Sequence, residues 1–368
     1  EKGEKQPPKD KGSFVLITCC MLGVAVLFPW NALITANNFW TYTFGDDSDY
    51  EFYLSAVFNW PQWITLLVVT KFGPKFSFSS RIISTLIVYS FTLIFIPGVC
   101  TINIDDNWKL FLSLSAAFVT GIAASIQFGT ILGLASVFPP KYVTAEMSGM
   151  GIGGVAIGLL AMFTQATFGN LDNGATLQAW VYFVVAVIIV IITLIMYIFM
   201  MRTDYAKFYV EKYNEETRLE QLNAPKSGHG ISWYVAILKK IWIDAAAVWL
   251  IFFVSLSLFP GLMLQVTTTF VSETWYYLII PLEFNLFDML GRSLPYVFVL
   301  PSKFVFPLAV VRIVFYPLVI FCVNPELFPD PELWMYAFNA IFAFSNGFLG
   351  TMAMMYAPGK VAPEEQQT

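Results

Sequence analysis

The sequence predicts an all-α fold, a polytopic membrane helical bundle, and three observations carry that expectation. Hydrophobic residues make up 57 % of the 368 and charged residues only 12 %, whereas a soluble domain is about a quarter charged. Apolar runs of about 20 residues, the length that crosses a bilayer's hydrocarbon core, recur along the whole chain. Lysine and arginine collect in alternate connecting segments, as they do in membrane proteins of fixed topology.

Ten runs are long enough to span. The first, at 13–36, is too long, too polar at its end and too closely followed by others to be a cleaved signal peptide. It contains Pro29-Trp30-Asn31. Proline frees a backbone carbonyl that Asn31 can help re-satisfy, while Trp30 either fills the bundle or stacks on a flat ring. Runs at 53–71 and 82–100 follow. The fourth, at 109–136, sets Thr120, Ala123, Gln127 and Thr130 on one face. Gln127 can donate two hydrogen bonds and accept more, which suits either a bond between packed helices or the polar edge of a ligand.

The fifth run, at 145–168, carries Gly149, Gly151, Gly153, Gly154 and Gly158. Glycines four apart let helix backbones approach closely. No strand precedes them, so they are not a nucleotide-binding loop. The sixth run, at 178–201, closes a first bundle at 1–201. Residues 202–240 are polar and charged, and read as a cytosolic linker, helical at its start and flexible around 225–230. The remaining runs, at 241–264, 275–298, 304–323 and 333–356, form a second bundle at 241–368. Two bundles joined by a central loop is a plan common among rocking transporters.

The eighth run is the least lipid-like. Pro281, Asn285, Asp288, Arg292 and Pro295 recur every three or four residues and make one polar stripe. A charge at the bilayer centre costs about 2.5–3.5 kcal/mol on insertion scales. Asp288 and Arg292, four apart, share a helix face and partly neutralise each other. They form either a structural ion pair or a site for something polar. Glu283 points about 140° away from Asp288, at roughly 100° per residue. Asn339, Ser345 and Asn346 give the tenth run its own polar residues.

With the N-terminus placed in the cytosol, the inside segments hold Lys2, Lys5, Lys9, Lys11, Lys71, Lys75, Arg81, Lys141, Arg202, Lys207, Lys212, Arg218, Lys226, Lys239, Lys240, Lys303 and Lys360. The opposite loops hold Asp46, Asp47, Asp49, Glu51, Asp105, Asp106, Asp172, Glu273, Glu326, Asp330 and Glu332, with Lys109 near one span entrance and Arg292 and Arg312 inside spans. That asymmetry supports the count of ten. No metal or cofactor is expected: the single histidine, His229, sits in a loop, and Cys19, Cys20, Cys100 and Cys322 have no ligand spacing. An intramembrane enzyme would need a nucleophile and base that the chain does not supply. No ring of like charge suggests an ion pore.

The motifs, taken in order, resemble the equilibrative nucleoside transporter family. They are Pro29-Trp30-Asn31, Gln127 with Gly129 and Gly133, Met147-Ser148-Gly149 with Gly151, and Phe259-Pro260. Next come Phe284-Asn285-x-Phe287-Asp288-x-x-Gly291-Arg292-Ser293, then Arg312, Phe315 and Pro317, then Ala343-Phe344-Ser345-Asn346-Gly347. The resemblance implies an eleven-span fold related to the major facilitator superfamily, so the last family span is expected to be absent from this sequence. It implies a monomeric plasma-membrane carrier of nucleosides or nucleobases that works by alternating access and facilitated diffusion, with no nucleic-acid partner. Gln127 would hydrogen-bond the nucleobase, Asp288 and Arg292 would meet the ribose or base edge, and Trp30 would line the cavity. Asn31, Asn285, Ser345 and Asn346 would line the cavity or gate it. Two departures from the family pattern are Ala123, where glycine is frequent, and the additional acid Glu283. Glu283 is the candidate for a proton-coupled alternative; a sugar carrier and a non-transporting receptor are the other rivals.

Overall fold

The computed structural model describes residues 8–45, 49–73, 76–223, 231–324 and 330–361. The expectations for Lys2, Lys5, Asp46, Asp47, Lys75, His229, Glu326 and the flexible 225–230 stretch lie outside them. Among the described residues all regular structure is helical. The α-helices are α1 (Phe14–Thr35), α2 (Asn37–Phe44), α3 (Tyr50–Phe72), α4 (Phe78–Thr101), α5 (Asp106–Val137), α6 (Lys141–Phe168) and α7 (Gly174–Met200). They continue with α8 (Asp204–Asn223), α9 (Ile231–Leu258), α10 (Glu273–Ser293), α11 (Val305–Val311), α12 (Phe315–Val323) and α13 (Pro331–Tyr356).

Local chemistry sets several starts. Asp10 accepts the amides of Val15 and Leu16 at 3.1 and 3.2 Å, and Ser77 accepts the Ser80 amide at 3.1 Å ahead of α4. Asp105 accepts the Asn107 amide at 2.9 Å ahead of α5. Such caps satisfy donors that a helix's first turn leaves open. Pro29 stays inside α1 without ending it.

Among the described residues, eight segments are long and apolar enough to cross a membrane: α1, α3 to α7, α9, and the stretch Ser302–Val323. Helices α10 and α13, with 21 and 26 residues, also exceed the length that ~30 Å requires at 1.5 Å per residue. They fall outside the eight because of their polarity, and they are the eighth and tenth runs of the sequence.

Three expectations are revised. The linker is expected to run to 240, whereas α9 begins at Ile231, so Lys239 and Lys240 lie within a helix rather than in a loop. The ninth run is not one helix: α11 and α12 are separated by a tighter turn at Arg312–Val314. The eighth run stops as an α-helix at Ser293 and continues as one short turn, Leu294–Tyr296.

One large core joins buried residues of α1 to α8. Two smaller cores, built around Val254 and Ile251, are drawn from α9 to α13 and the segments between them. Much of the surface is apolar: Trp60, Trp63, Leu67 and Leu256 are each more than 70 % exposed. A water-soluble monomer does not display large apolar faces of this kind without a partner. Lipid is the solvent these faces suit.

Candidate functional site

Helix α10 lies between α6 and α13, and glycines set both contacts. An added Cβ on Gly151 would sit 2.6 Å from Met289 Cα, and one on Gly154 2.6 Å from Asn285 Oδ1. On the other side, a Cβ on Gly291 would collide with the Phe344 carbonyl, and one on Gly347 with the Asp288 carbonyl. The glycines of the fifth run therefore divide their work. Gly149 and Gly153 face α1 at Cys20 and Val24, while Gly151, Gly154 and Gly158 face α10. Polar side chains bridge the same α6–α10 seam. Asn285 Nδ2 donates to the Gly154 carbonyl at 3.1 Å, and Ser293 Oγ donates to Ser148 Oγ at 3.1 Å.

At the centre of α10 a hydrogen-bonded chain of buried polar groups begins. Arg292 Nε donates to Asp288 Oδ2 at 2.5 Å. The other oxygen of Asp288 accepts from Asn346 Nδ2 at 2.7 Å. Asn346 Oδ1 accepts from Ser255 Oγ at 2.6 Å, and Ser255 Oγ accepts from Arg312 Nη2 at 2.7 Å. Arg312 Nη1 then reaches Ser345 Oγ at 3.0 Å and the Phe342 carbonyl at 3.3 Å, with its guanidinium 4.7 Å from the Phe342 ring centre. Four elements are tied together: α10, α13, α9 and the break between α11 and α12. The break has a local reason, because it is where the fully buried Arg312 turns inward to hydroxyl and carbonyl acceptors.

Two arginines and one aspartate leave this interior with an excess of one positive charge. Dipoles of Ser255, Ser345 and Phe342 and the ring of Phe342 offset it. The far end of Arg292 is less firmly held. Among the described residues its Nη1 meets the thioethers of Met147 and Met150 on α6, at 3.9 and 3.8 Å, and thioether sulfur is a weak acceptor.

The other residues singled out from sequence have partners of their own. Gln127 is fully buried on α5; its carbonyl oxygen accepts from Thr85 of α4, and its Nε2 has no acceptor. Trp30 is partly buried and stacks on Phe58 of α3, with ring centres 4.3 Å apart. Among the described residues no hydrogen bond joins Gln127 or Trp30 to Asp288 or Arg292, and Asn31 has no side-chain hydrogen bond. One hydrogen-bonded chain thus includes Asp288, Arg292, Ser345 and Asn346, with Asn285 one turn earlier on α10 bonded across to α6; Trp30, Asn31 and Gln127 are not part of that chain. Glu283 accepts from Asn339 Nδ2 at 2.8 Å and lines a side cleft of 290 Å³ with Leu333, Trp334 and Tyr336. No group of three or more His, Cys, Asp or Glu that could hold a metal ion occurs among the described residues.

The motifs that meet on α10 are those of one known family, and comparison with known proteins agrees. The family model described as Nucleoside transporter matches residues 114–368. The chain belongs to the nucleoside transporter family. Its relatives include the equilibrative nucleotide transporter 1 of Arabidopsis thaliana, 26 % identical over 377 residues, covering 100 % of this chain and 84 % of that one. The human equilibrative nucleoside transporter 1 is 27 % identical and the mouse equilibrative nucleoside transporter 2 is 28 % identical. Each match covers 98 % of this chain, with 93 % of the human and 92 % of the mouse protein. The family is one of transporters, not enzymes, and this member is an integral membrane protein.

For this nucleoside transporter family member, sequence reasoning found the Asp288–Arg292 pair but not what continues it. Ser255 carries no signal in sequence, and neither does Thr85, which holds Gln127. Arg312 belongs to the ninth-run motif with Phe315 and Pro317, but nothing in that motif points to Ser255 or Ser345 as its partners. Glu146, a fully buried acid of α6, is not among the residues the sequence reading singles out, although an acid inside a span is itself a signal.

Proposed function

We propose that this chain carries nucleosides across a bilayer by alternating access, as facilitated diffusion, with Trp30, Gln127, Asp288 and Arg292 as substrate contacts. The observation that carries the reading is the connected polar chain from Arg292 to Arg312 inside otherwise apolar helices. Nucleosides are uncharged, so hydrogen bonds and ring stacking suffice to replace their water, and binding must stay modest for release to be quick. Asp288 and Arg292 present a charged acceptor and a donor side by side. Gln127 keeps a free N–H2, which suits a base carbonyl or ring nitrogen, and Trp30 offers a ring face.

In this reading α10 and α13 are spans too, making ten in a major-facilitator-like arrangement. Residues 1–201 rock against 241–356, joined by the 202–240 segment, as one protomer. Basic residues at one end of the bundle support a cytosolic N-terminus and linker, and a plasma-membrane carrier is the natural setting. Nucleobases are the nearest second substrate class. A proton-coupled version rests on one observation, Glu283 at the side cleft.

The test is uptake of labelled uridine, adenosine, hypoxanthine and glucose into proteoliposomes. Uridine or adenosine should enter and glucose should not. Gln127→Ala and Asp288→Ala, if folded, should abolish entry; uptake indifferent to both would refute the site. Uptake that stops when the proton gradient is collapsed would replace facilitated diffusion with the coupled version.

A further inference from the structure

Two buried polar groups where α4 packs on α5 have no hydrogen-bond partner among the described residues: Gln127 Nε2 and the Tyr89 hydroxyl. Both residues are 0 % exposed. The register of the two helices is fixed by side-chain bonds. Thr85 of α4 meets Gln127 of α5, and two turns on Thr120 of α5 donates to Thr92 of α4 at 2.9 Å. Tyr89 lies between Thr85 and Thr92, at the spacings of four and three residues that keep helix neighbours on one face. Buried donors without acceptors are few in folded proteins, and each calls for a reason.

The bond between Thr85 and Gln127 decides which end of the amide is left over. A hydroxyl has one proton to give. The carbonyls of Arg81 and Ile82 also lie within reach of Thr85 Oγ1, at 2.8 and 3.0 Å. Both belong to α4, where the helix's own amides already supply their donors. Gln127 Oε1 has no other donor among the described residues, so the proton goes there. With its oxygen held, the amide cannot turn over without breaking that bond. A free glutamine presents a donor or an acceptor; this one presents its N–H2 end alone.

We infer that Thr85 is a positioning residue that sets base selectivity: it fixes Gln127 as a donor, so the carrier prefers nucleosides whose base shows an oxygen at that edge over those that show an amino group. Uridine, inosine and guanosine present a ring carbonyl. Cytidine and adenosine present an N–H2, and two N–H2 groups facing each other are both left unpaired. The ring nitrogens of cytidine and adenosine can accept instead with the base shifted, so the preference is graded rather than absolute. The Tyr89 hydroxyl donates or accepts as its neighbour requires and adds no preference of its own. This inference rests on the carrier reading above, in which Gln127 meets the base.

Uptake into proteoliposomes tests it, with uridine paired against cytidine and inosine against adenosine. The full wild-type chain should favour the first member of each pair by about tenfold. Thr85→Val keeps the side chain's shape and removes its hydroxyl. It should bring both ratios close to one, with cytidine and adenosine gaining on their partners. Thr85→Ser, which keeps the hydroxyl, should restore the ratios, and Tyr89→Phe should leave them as they are. Damage to packing alone would lower both members of a pair alike. Should the valine variant fail to fold, Thr85→Ala is expected to act in its place. A wild type without preference, or one that favours the amino bases, overturns the inference. So do ratios that survive in both Thr85→Val and Thr85→Ala, that are lost in Thr85→Ser, or that move in Tyr89→Phe. Ratios lost in Gln127→Ala but kept without the Thr85 hydroxyl would sink this inference alone. Uptake and ratios indifferent to Gln127→Ala would instead defeat the contact on which it rests, and a wild type that takes up no nucleoside would defeat the carrier reading with it.

Discussion

At the scale of single residues, the polar chain through α10 and α13 behaves as one object. Asn346 is its joint, bonding Asp288 on one side and Ser255 on the other. Asn346→Ala should lower stability by about 1–3 kcal/mol, the cost of leaving buried polar groups without partners. A lowered melting temperature in detergent, with uptake impaired in the fraction still folded, is the expected result. Asp288→Ala should cost more, about 3–5 kcal/mol, because it strands a buried guanidinium; Asp288→Asn, which keeps an acceptor for Arg292, should melt in between. The first link of this chain was legible in the sequence, since Asp288 and Arg292 are helix neighbours four apart. The remaining links were not, because Ser255, Arg312 and Asn346 meet only when α9, the α11–α12 break and α13 come together. Gln127 shows the same limit: its face on α5 could be read from spacing, whereas its engagement with Thr85 of α4 could not.

At the scale of elements, the glycines of α6 separate two kinds of contact. Gly149 meets the Cys20 backbone and Gly154 meets the Asn285 side chain. A side chain can swing aside and a backbone cannot. Gly149→Ala should therefore destabilise the protein by about 1–3 kcal/mol, while Gly154→Ala should cost less, about 0.5–1.5 kcal/mol, the worth of the Asn285 hydrogen bond that moving aside gives up. Thermal melting of the two variants side by side checks this. A second device ties the loop ahead of α10 to the start of α13. Glu332 accepts from the amides of Thr269 and Phe270 at 2.5 and 2.8 Å and from the Tyr336 hydroxyl at 3.1 Å. Burial alone would raise its carboxyl, but these hydrogen bonds hold it below the ordinary carboxylate range. Its contribution is thus present above the unfolded carboxyl's value and is lost as pH falls through the lower folded one. Glu332→Gln should cost about 1.5–3 kcal/mol at neutral pH. Its melting temperature should then drop less than the wild type's on acidification below about pH 4. The apolar runs marked nearly every long helix, because lipid demands length and hydropathy. The break at Arg312 and the early start of α9 escaped because neither interrupts hydropathy enough to be seen.

At the scale of the whole molecule, the seam between α6 and α10 is where the large core of α1 to α8 meets the later helices. An added Cβ on Gly158 would lie 3.3 Å from Leu282 Cβ, close to the about 3.5–4.5 Å that a disulfide requires. The double variant Gly158→Cys with Leu282→Cys should therefore cross-link on oxidation. If transport parts this seam, uptake should stop when the bond forms and return when it is reduced; each single variant should be indifferent to oxidant. Uptake that continues with the cross-link in place would show that the seam does not move. The thioethers beneath Arg292 add a way to watch the same event without any substitution. Met147 and Met150 are 3 % and 2 % exposed in the packed state, so dissolved peroxide cannot reach their sulfur atoms while the seam is shut. Methionine converts to its sulfoxide only where oxidant has access. A carrier that opens there once per cycle turns these two residues into a clock, and the rate at which mass spectrometry finds them oxidised counts the openings.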